Sequence, residues 1–280
     1  MAKKSRAPLG QNFLADSYYA SRMVSLVKVR EGEKVVEVGP GEGSLTRWLV
    51  KRGVRLTAIE VDPRLAATIR ERFAGKVEVK VADVLDMDFC EPPLAGSTVV
   101  SNLPFYITSS FLYRMIETVK IEGKVLRSCW RGAYITLQRE VVEKILPREE
   151  WRCFSRLGVH LNMRFEIEPL LEIPPDAFRP RPQVSSVFVR FTPRETLLAD
   201  PGDHALFDSL LRRVYARRRR KMRNTLLGFR SLSKEGLERA LGELSWTLQK
   251  RPEEVSLMVL AEISKRIYDH FEEQKIKYRI

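Results

Sequence analysis

Residues 101 to 108, SNLPFYIT, follow the apolar run STVV and set an amide, a proline and an aromatic side by side where a strand should end. Pro104 lacks a backbone donor and biases Leu103 towards extended geometry, so Asn102, Leu103, Pro104 and Phe105 should form a stiff, outward-facing turn. Such a turn offers two acceptors, the Asn102 side-chain oxygen and the Pro104 carbonyl, next to an aromatic face. That set suits an exocyclic amine on a flat ring. Acceptors on its two hydrogens draw the nitrogen towards tetrahedral geometry and free a lone pair otherwise delocalised into the ring. The same oxygens stabilise positive charge developing on that nitrogen, and Phe105 adds stacking and a cation–π contribution. No general base is needed, because the proton can leave to water afterwards. The bland alternative is a proline-punctuated strand end with an incidental asparagine.

A second group of residues supplies a place for a reactant. VVEVGPGEGSLTRWLV reads as a strand entering a glycine loop and then a helix; Gly39, Gly41 and Gly43 allow tight turning and close backbone approach, and Ser44 can cap the helix. Glycine loops alone also serve nicotinamide and nucleotide sites. The acidic series is more specific: Glu37 before the loop, Glu60 at the end of LTAIE, Asp83 at the end of VEVKVAD. With Asn102 these fall at the carboxyl ends of four successive predicted strands, where open α/β sheets bind ligands. S-adenosylmethionine would use each of them. Glu60 accepts from both ribose hydroxyls, Asp83 accepts from the adenine amine, and the Gly39 backbone passes the aminoacyl end. No phosphate-binding GK[ST] follows the loop.

These residues need a sheet to carry them. From Glu33 to Phe105 short β-branched runs alternate with amphipathic stretches, which predicts βαβ units and a doubly wound parallel sheet. SSFLYRMIETV and REVVEKIL have helical texture and GAYITLQ reads as a strand. RFEIEPLLEI and SSVFVRF bracket the proline-rich PPDAFRPRPQ and could pair as an antiparallel hairpin closing one sheet edge. After the linker TPRETLLADPGD the chain reads as helices, with Ser233 and Pro252 as start signals. The expectation is a catalytic domain over 1–195 and a smaller helical domain over 196–280.

The 280 residues carry a net charge of +13 and a pI near 9.8, which favours a polyanionic partner. RRVYARRRRKMR contains no acidic residue, so on a helix its charge would spread around the whole axis; the bland reading is a solvated face. No run approaches the roughly 18 apolar residues of a membrane span, and MAKKSRAPLG is too polar for a secretory signal. Cys90, Cys129 and Cys153 form no CxxC pair and the histidines are far apart, which argues for a reducing cytoplasm and against a metal site.

LGQNFLAD, EVGPGEGSLT, AIEVD, VADVL, SNLPFYIT, LQREV, IPPDAFRPRPQVSSVFVRF and RRRRKMRNTL together resemble the small-subunit ribosomal RNA adenine dimethyltransferases over nearly the whole chain. The resemblance implies an α/β, Rossmann-like S-adenosylmethionine-dependent methyltransferase fold with a small C-terminal helical domain. It implies dimethylation of two adjacent adenosines near the 3′ end of small-subunit rRNA during ribosome biogenesis, by a cytoplasmic monomer acting on immature small subunits. Asn12 and Leu14 would join Gly39, Gly41, Glu60, Asp83 and Asn102 around the cofactor. Phe178, in its proline-rich loop, would stack on a flipped adenine opposite Phe105, with Arg217, Arg218, Arg219, Arg220 and Lys221 on RNA phosphates. Phe178 has a bland reading too, as a loop side chain plugging the core edge. The family usually has Tyr where this chain has Phe105, which excludes a phenol there. Two rivals stand beside this reading: the large-subunit rRNA adenine methyltransferases of the antibiotic-resistance type, and a non-catalytic RNA-binding assembly factor.

Overall fold

The computed structural model describes residues 12–277. Its strands are β1 (Phe13–Leu14), β2 (Lys34–Val38), β3 (Arg55–Glu60), β4 (Val77–Val81), β5 (Thr98–Ser101), β6 (Val119–Glu122), β7 (Val125–Ser128), β8 (Gly132–Gln138), β9 (Phe165–Ile173), β10 (Phe178–Arg179) and β11 (Ser186–Pro193). The α-helices are α1 (Ser17–Leu26), α2 (Thr46–Lys51), α3 (Pro63–Arg72), α4 (Thr108–Glu117), α5 (Arg139–Ile145), α6 (Arg156–Arg164), α7 (His204–Ala216), α8 (Met222–Leu226), α9 (Lys234–Leu241) and α10 (Leu257–Lys277).

Seven strands form one mixed sheet in the order β4-β3-β2-β5-β8-β11-β9. The five from β4 to β8 are parallel, as their β-branched runs and intervening helices require. The last strand in sequence, β11, inserts antiparallel between β8 and β9, so the expected hairpin does close that edge. From β2 the chain steps to β3 and β4 on one side, then returns to β5 on the other. This reversal opens a crevice at the carboxyl ends of β2 and β5. The Ser101 hydroxyl donates to the Val38 carbonyl at 2.6 Å, tying the two strand ends together there.

The chain divides into two compact units. Of the described residues, the first holds 12–122, Leu126–Glu143 and Phe165–Glu195; the second holds Gly123–Val125, Lys144–Arg164 and 196–277. Residues 144–164, which the sequence groups with the catalytic part, lie in the second unit because Val159 and Met163 of α6 bury themselves in its core with Leu206, Phe207, Leu210 and Ile263. Caps begin the helices where short polar side chains fall: Asp62 on Arg64 at 2.8 Å, Asp203 on Leu206 at 2.6 Å, Ser233 on Gly236 at 3.0 Å.

Cys90 and Cys129, read in the sequence as a sign of a reducing compartment, are joined as a disulfide, Cα to Cα 4.9 Å. Cys153 is free and buried, and burial pushes its thiol up to about 12. Among the described residues no helix is long and apolar enough to cross a membrane.

Candidate active site

The crevice between β2 and β5 is a pocket lined by Asn12, Phe13 and Leu14, the glycine loop, Glu60 and Val61 after β3, Asp83 and Val84 after β4, and Asn102, Pro104, Tyr106 and Ile107 after β5. Apart from Asn12, Phe13 and Leu14, which β1 brings in from outside the main sheet, the polar lining groups lie at or just past the carboxyl ends of β2, β3, β4 and β5.

The loop is shaped by three glycines with φ of +66° (Gly39), +54° (Gly41) and +83° (Gly43), a region that side chains disfavour. A Cβ on Gly41 would stand 3.0 Å from the Phe13 ring, so that position is closed by packing as well. Ser44 does not cap the following helix. Its hydroxyl donates to the Leu14 carbonyl at 2.6 Å and pins β1 across the loop, while α2 starts without a side-chain cap.

Glu60 is almost fully buried. Its Oε1 accepts the backbone N–H groups of Val61 at 2.9 Å and Asp62 at 3.1 Å, and its Oε2 accepts that of Gly41 at 3.2 Å. Three amides thus fix the carboxylate at the pocket wall with lone pairs to spare for a vicinal diol. Exposed Asp83 accepts from Leu85 N–H at 2.9 Å through Oδ1, which leaves Oδ2 for another donor. Glu37 is 1% exposed, takes the Thr46 hydroxyl on Oε2 at 2.7 Å, and burial pushes its carboxyl up to about 7. It lines the pocket together with Glu60.

Past β5, the Asn102 amide nitrogen donates to the Asn12 carbonyl at 3.3 Å, which orients the side-chain oxygen as the acceptor. The Pro104 carbonyl, expected free, accepts the Ile107 N–H at 3.1 Å as the 3₁₀ turn Phe105–Ile107 closes; its second lone pair is what a substrate could use. Leu103 does not reach the pocket: it is 2% exposed and anchors the turn in the core. Phe105 is half-buried and off the pocket wall, whereas Tyr106 lines it.

Phe178 is the clearest departure from expectation. Its side chain is fully buried among Leu14, Ala177 and Phe188, and its backbone pairs with Leu14 as β10 against β1. In this conformation it serves the bland role of plugging the core and holding Asn12, Phe13 and Leu14 over the pocket, and it presents no face to a base. The residues at 217–221 are exposed, but α7 has ended at Ala216, so they form a bend rather than the helix expected. Arg218 lies 4.0 Å from Glu253 and Lys221 Nζ 3.4 Å from Gln249; among the described residues Arg217, Arg219 and Arg220 make no side-chain bond.

Sequence reasoning left Phe13, Val61, Val84, Tyr106 and Ile107 out of the site. Their signal is weak but present: Phe13, Val61 and Val84 adjoin Asn12, Glu60 and Asp83, and Tyr106 and Ile107 follow directly on the SNLPF turn.

The site fits S-adenosylmethionine by its donor set: a preset carboxylate for a ribose diol, an open Asp83 oxygen for an adenine amine, apolar Val61, Val84 and Ile107 for a purine face, and a glycine cradle that a Cβ would fill. Fold and site define an S-adenosylmethionine-dependent methyltransferase. A model of the family described as "Ribosomal RNA adenine dimethylase" matches residues 2–243, and the chain belongs to that family. It is 33% identical to ribosomal RNA small subunit methyltransferase A of Legionella pneumophila (strain Lens), over 95% of this chain and 99% of the relative. It is also 33% identical to the protein of the same name from Paraburkholderia xenovorans, over 90% and 88%. Among solved structures, a dimethyladenosine transferase from Plasmodium falciparum shares the fold, with a TM-score of 0.76 at 18% identity over 92% of this chain and 98% of that one. The 23S rRNA methyltransferase ErmE aligns with a TM-score of 0.64 at 29% identity, over 90% and 99%.

Proposed function

We infer that this enzyme dimethylates the exocyclic amines of two adjacent adenosines near the 3′ end of small-subunit rRNA, on immature small subunits, as a cytoplasmic monomer. The observation that carries the reading is the pairing of two strand ends by the Ser101–Val38 hydrogen bond. It places the Asn102 acceptor beside the glycine loop, in the same pocket as Glu60 and Asp83. The first unit would hold cofactor and base; the second unit, with the exposed bend at 217–221, would hold RNA phosphates.

Bound S-adenosylmethionine supplies an electrophilic methyl on a sulfonium. Glu60 and Asp83 bind and orient its adenosine through hydrogen bonds. The Asn102 oxygen accepts one amine hydrogen of the target adenine, and the free lone pair of the Pro104 carbonyl accepts the other. Both acceptors stabilise the charge that develops on nitrogen, and holding the amine in line lowers the barrier further by positioning. Phe105 can bring a ring to the base once its half-buried side chain turns outward. The likeness to ErmE favours a second reading, transfer to large-subunit rRNA. Methyl transfer to immature small subunits, large subunits and naked RNA, assayed in parallel, decides between them. Dimethyladenosine on the small subunit is expected, and product confined to the large subunit would overturn the assignment.

A further inference from the structure

We propose that Tyr106 is a cofactor-binding residue, its ring closing over the adenosine end of the pocket and its hydroxyl donating a hydrogen bond there. The proposal rests on the methyltransferase reading of this pocket and adds a residue to it.

Tyr106 is 53% exposed yet lines the pocket, on the turn directly after Pro104. Val61, on the same pocket, is 48% exposed. Large apolar side chains left open at a pocket rim lose unfavourable contact with water when a flat ring covers them. Both line the pocket together with Glu60 and Asp83, and burial, followed by the charges of Asp83 and Glu60, raises the Tyr106 phenol above its ordinary value. A tyrosine phenol is protonated at neutral pH, so its O–H is available as a donor to a ribose oxygen or an adenine nitrogen. Its ring is held by a fixed scaffold, since buried Leu103 and Thr108 flank the turn and the Ile107 N–H closes it on the Pro104 carbonyl. Because Tyr106 shares that turn with Pro104, a filled adenosine site would also steady the acceptors that meet the target amine.

Calorimetry with S-adenosylhomocysteine on the full chain reads this without catalysis. Tyr106→Ala should weaken binding about tenfold, the scale of one lost base–aromatic stack, and Tyr106→Phe, which keeps the ring, should weaken it about two- to threefold, a modest hydrogen bond. In the parent protein, nitration of Tyr106 by tetranitromethane, followed by peptide mass spectrometry, should slow when S-adenosylhomocysteine is present. An unchanged dissociation constant in Tyr106→Ala overturns the proposal, and if KM for RNA rises instead the ring faces the target base. Failure of the parent itself to bind S-adenosylhomocysteine would overturn the pocket assignment along with it.

Discussion

At the scale of single residues the chemistry rests on Asn102. Its nitrogen is committed to the Asn12 carbonyl, so its oxygen faces the pocket as an acceptor whose orientation is set before substrate arrives. Asn102→Ala should cost methyl transfer about 10²-fold or more, the scale on which a transition-state partner is lost, with a far smaller change in S-adenosylhomocysteine affinity. Equal losses in both, by single-turnover assay and calorimetry, would mean that Asn102 only shapes the cofactor site. Glu37 is the other residue with a measurable signature. Its carboxyl titrates near 4.5 when unfolded and at about 7 when folded, so the folded protein holds the proton more tightly. The stability this contributes is complete below pH 4.5 and is lost as pH rises through 7. Melting temperatures of Glu37→Gln should fall less than those of the parent over that interval, and parallel curves would show that Glu37 is already ionised in the fold.

At the scale of elements, the glycine loop and the basic bend behave in opposite ways. Gly41 has φ of +54° and no room beside Phe13, so Gly41→Ala should destabilise the unliganded protein by roughly 1 to 2 kcal/mol through backbone strain and weaken cofactor binding besides. Denaturant midpoints check the first part, and an unchanged midpoint would show that the loop relaxes freely. The bend at 217–221 packs little and should tolerate change. Replacing Arg217, Arg219 and Arg220 with Gln should leave stability and cofactor affinity in place, lower affinity for rRNA and flatten its salt dependence, because each lost phosphate contact releases fewer counterions. Identical salt slopes in parent and variant would mean that these side chains are only solvated.

At the scale of the whole molecule, the two units should respond to acid differently. In the second unit His160 sits with Nε2 3.0 Å from Asp208 Oδ1, yet burial and the nearby Arg164 hold its imidazole down to about 4 from 6.5. The folded state binds this proton more weakly, so the contribution is present above pH 6.5 and is lost as pH falls through 4, on the order of 3 kcal/mol in all. Between pH 4.5 and 6.5 this trend opposes that of Glu37. His160→Gln should flatten the acid limb of thermal unfolding for the helical unit, and a limb as steep as the parent's would place the sensitivity elsewhere.

Much of this molecule is legible in local sequence, because periodicity and turn chemistry act over a few residues. The βαβ run, the edge hairpin and the positions of Glu60, Asp83 and Asn102 at strand ends all follow from patterns that hydrogen-bond geometry enforces within one element. What tertiary structure decided are the matters that depend on distant partners. Phe178 faces the core because β10 pairs with β1 across the fold. Cys90 and Cys129, 39 residues apart, meet as a disulfide. The Pro104 carbonyl is half occupied because the turn after it closes, residues 144–164 leave the catalytic part to bury an apolar helix face, and Tyr106 rather than Phe105 reaches the pocket. Sequence shows which side chains can do chemistry, but which of them point at the same point in space is settled by long-range packing, which no local pattern encodes.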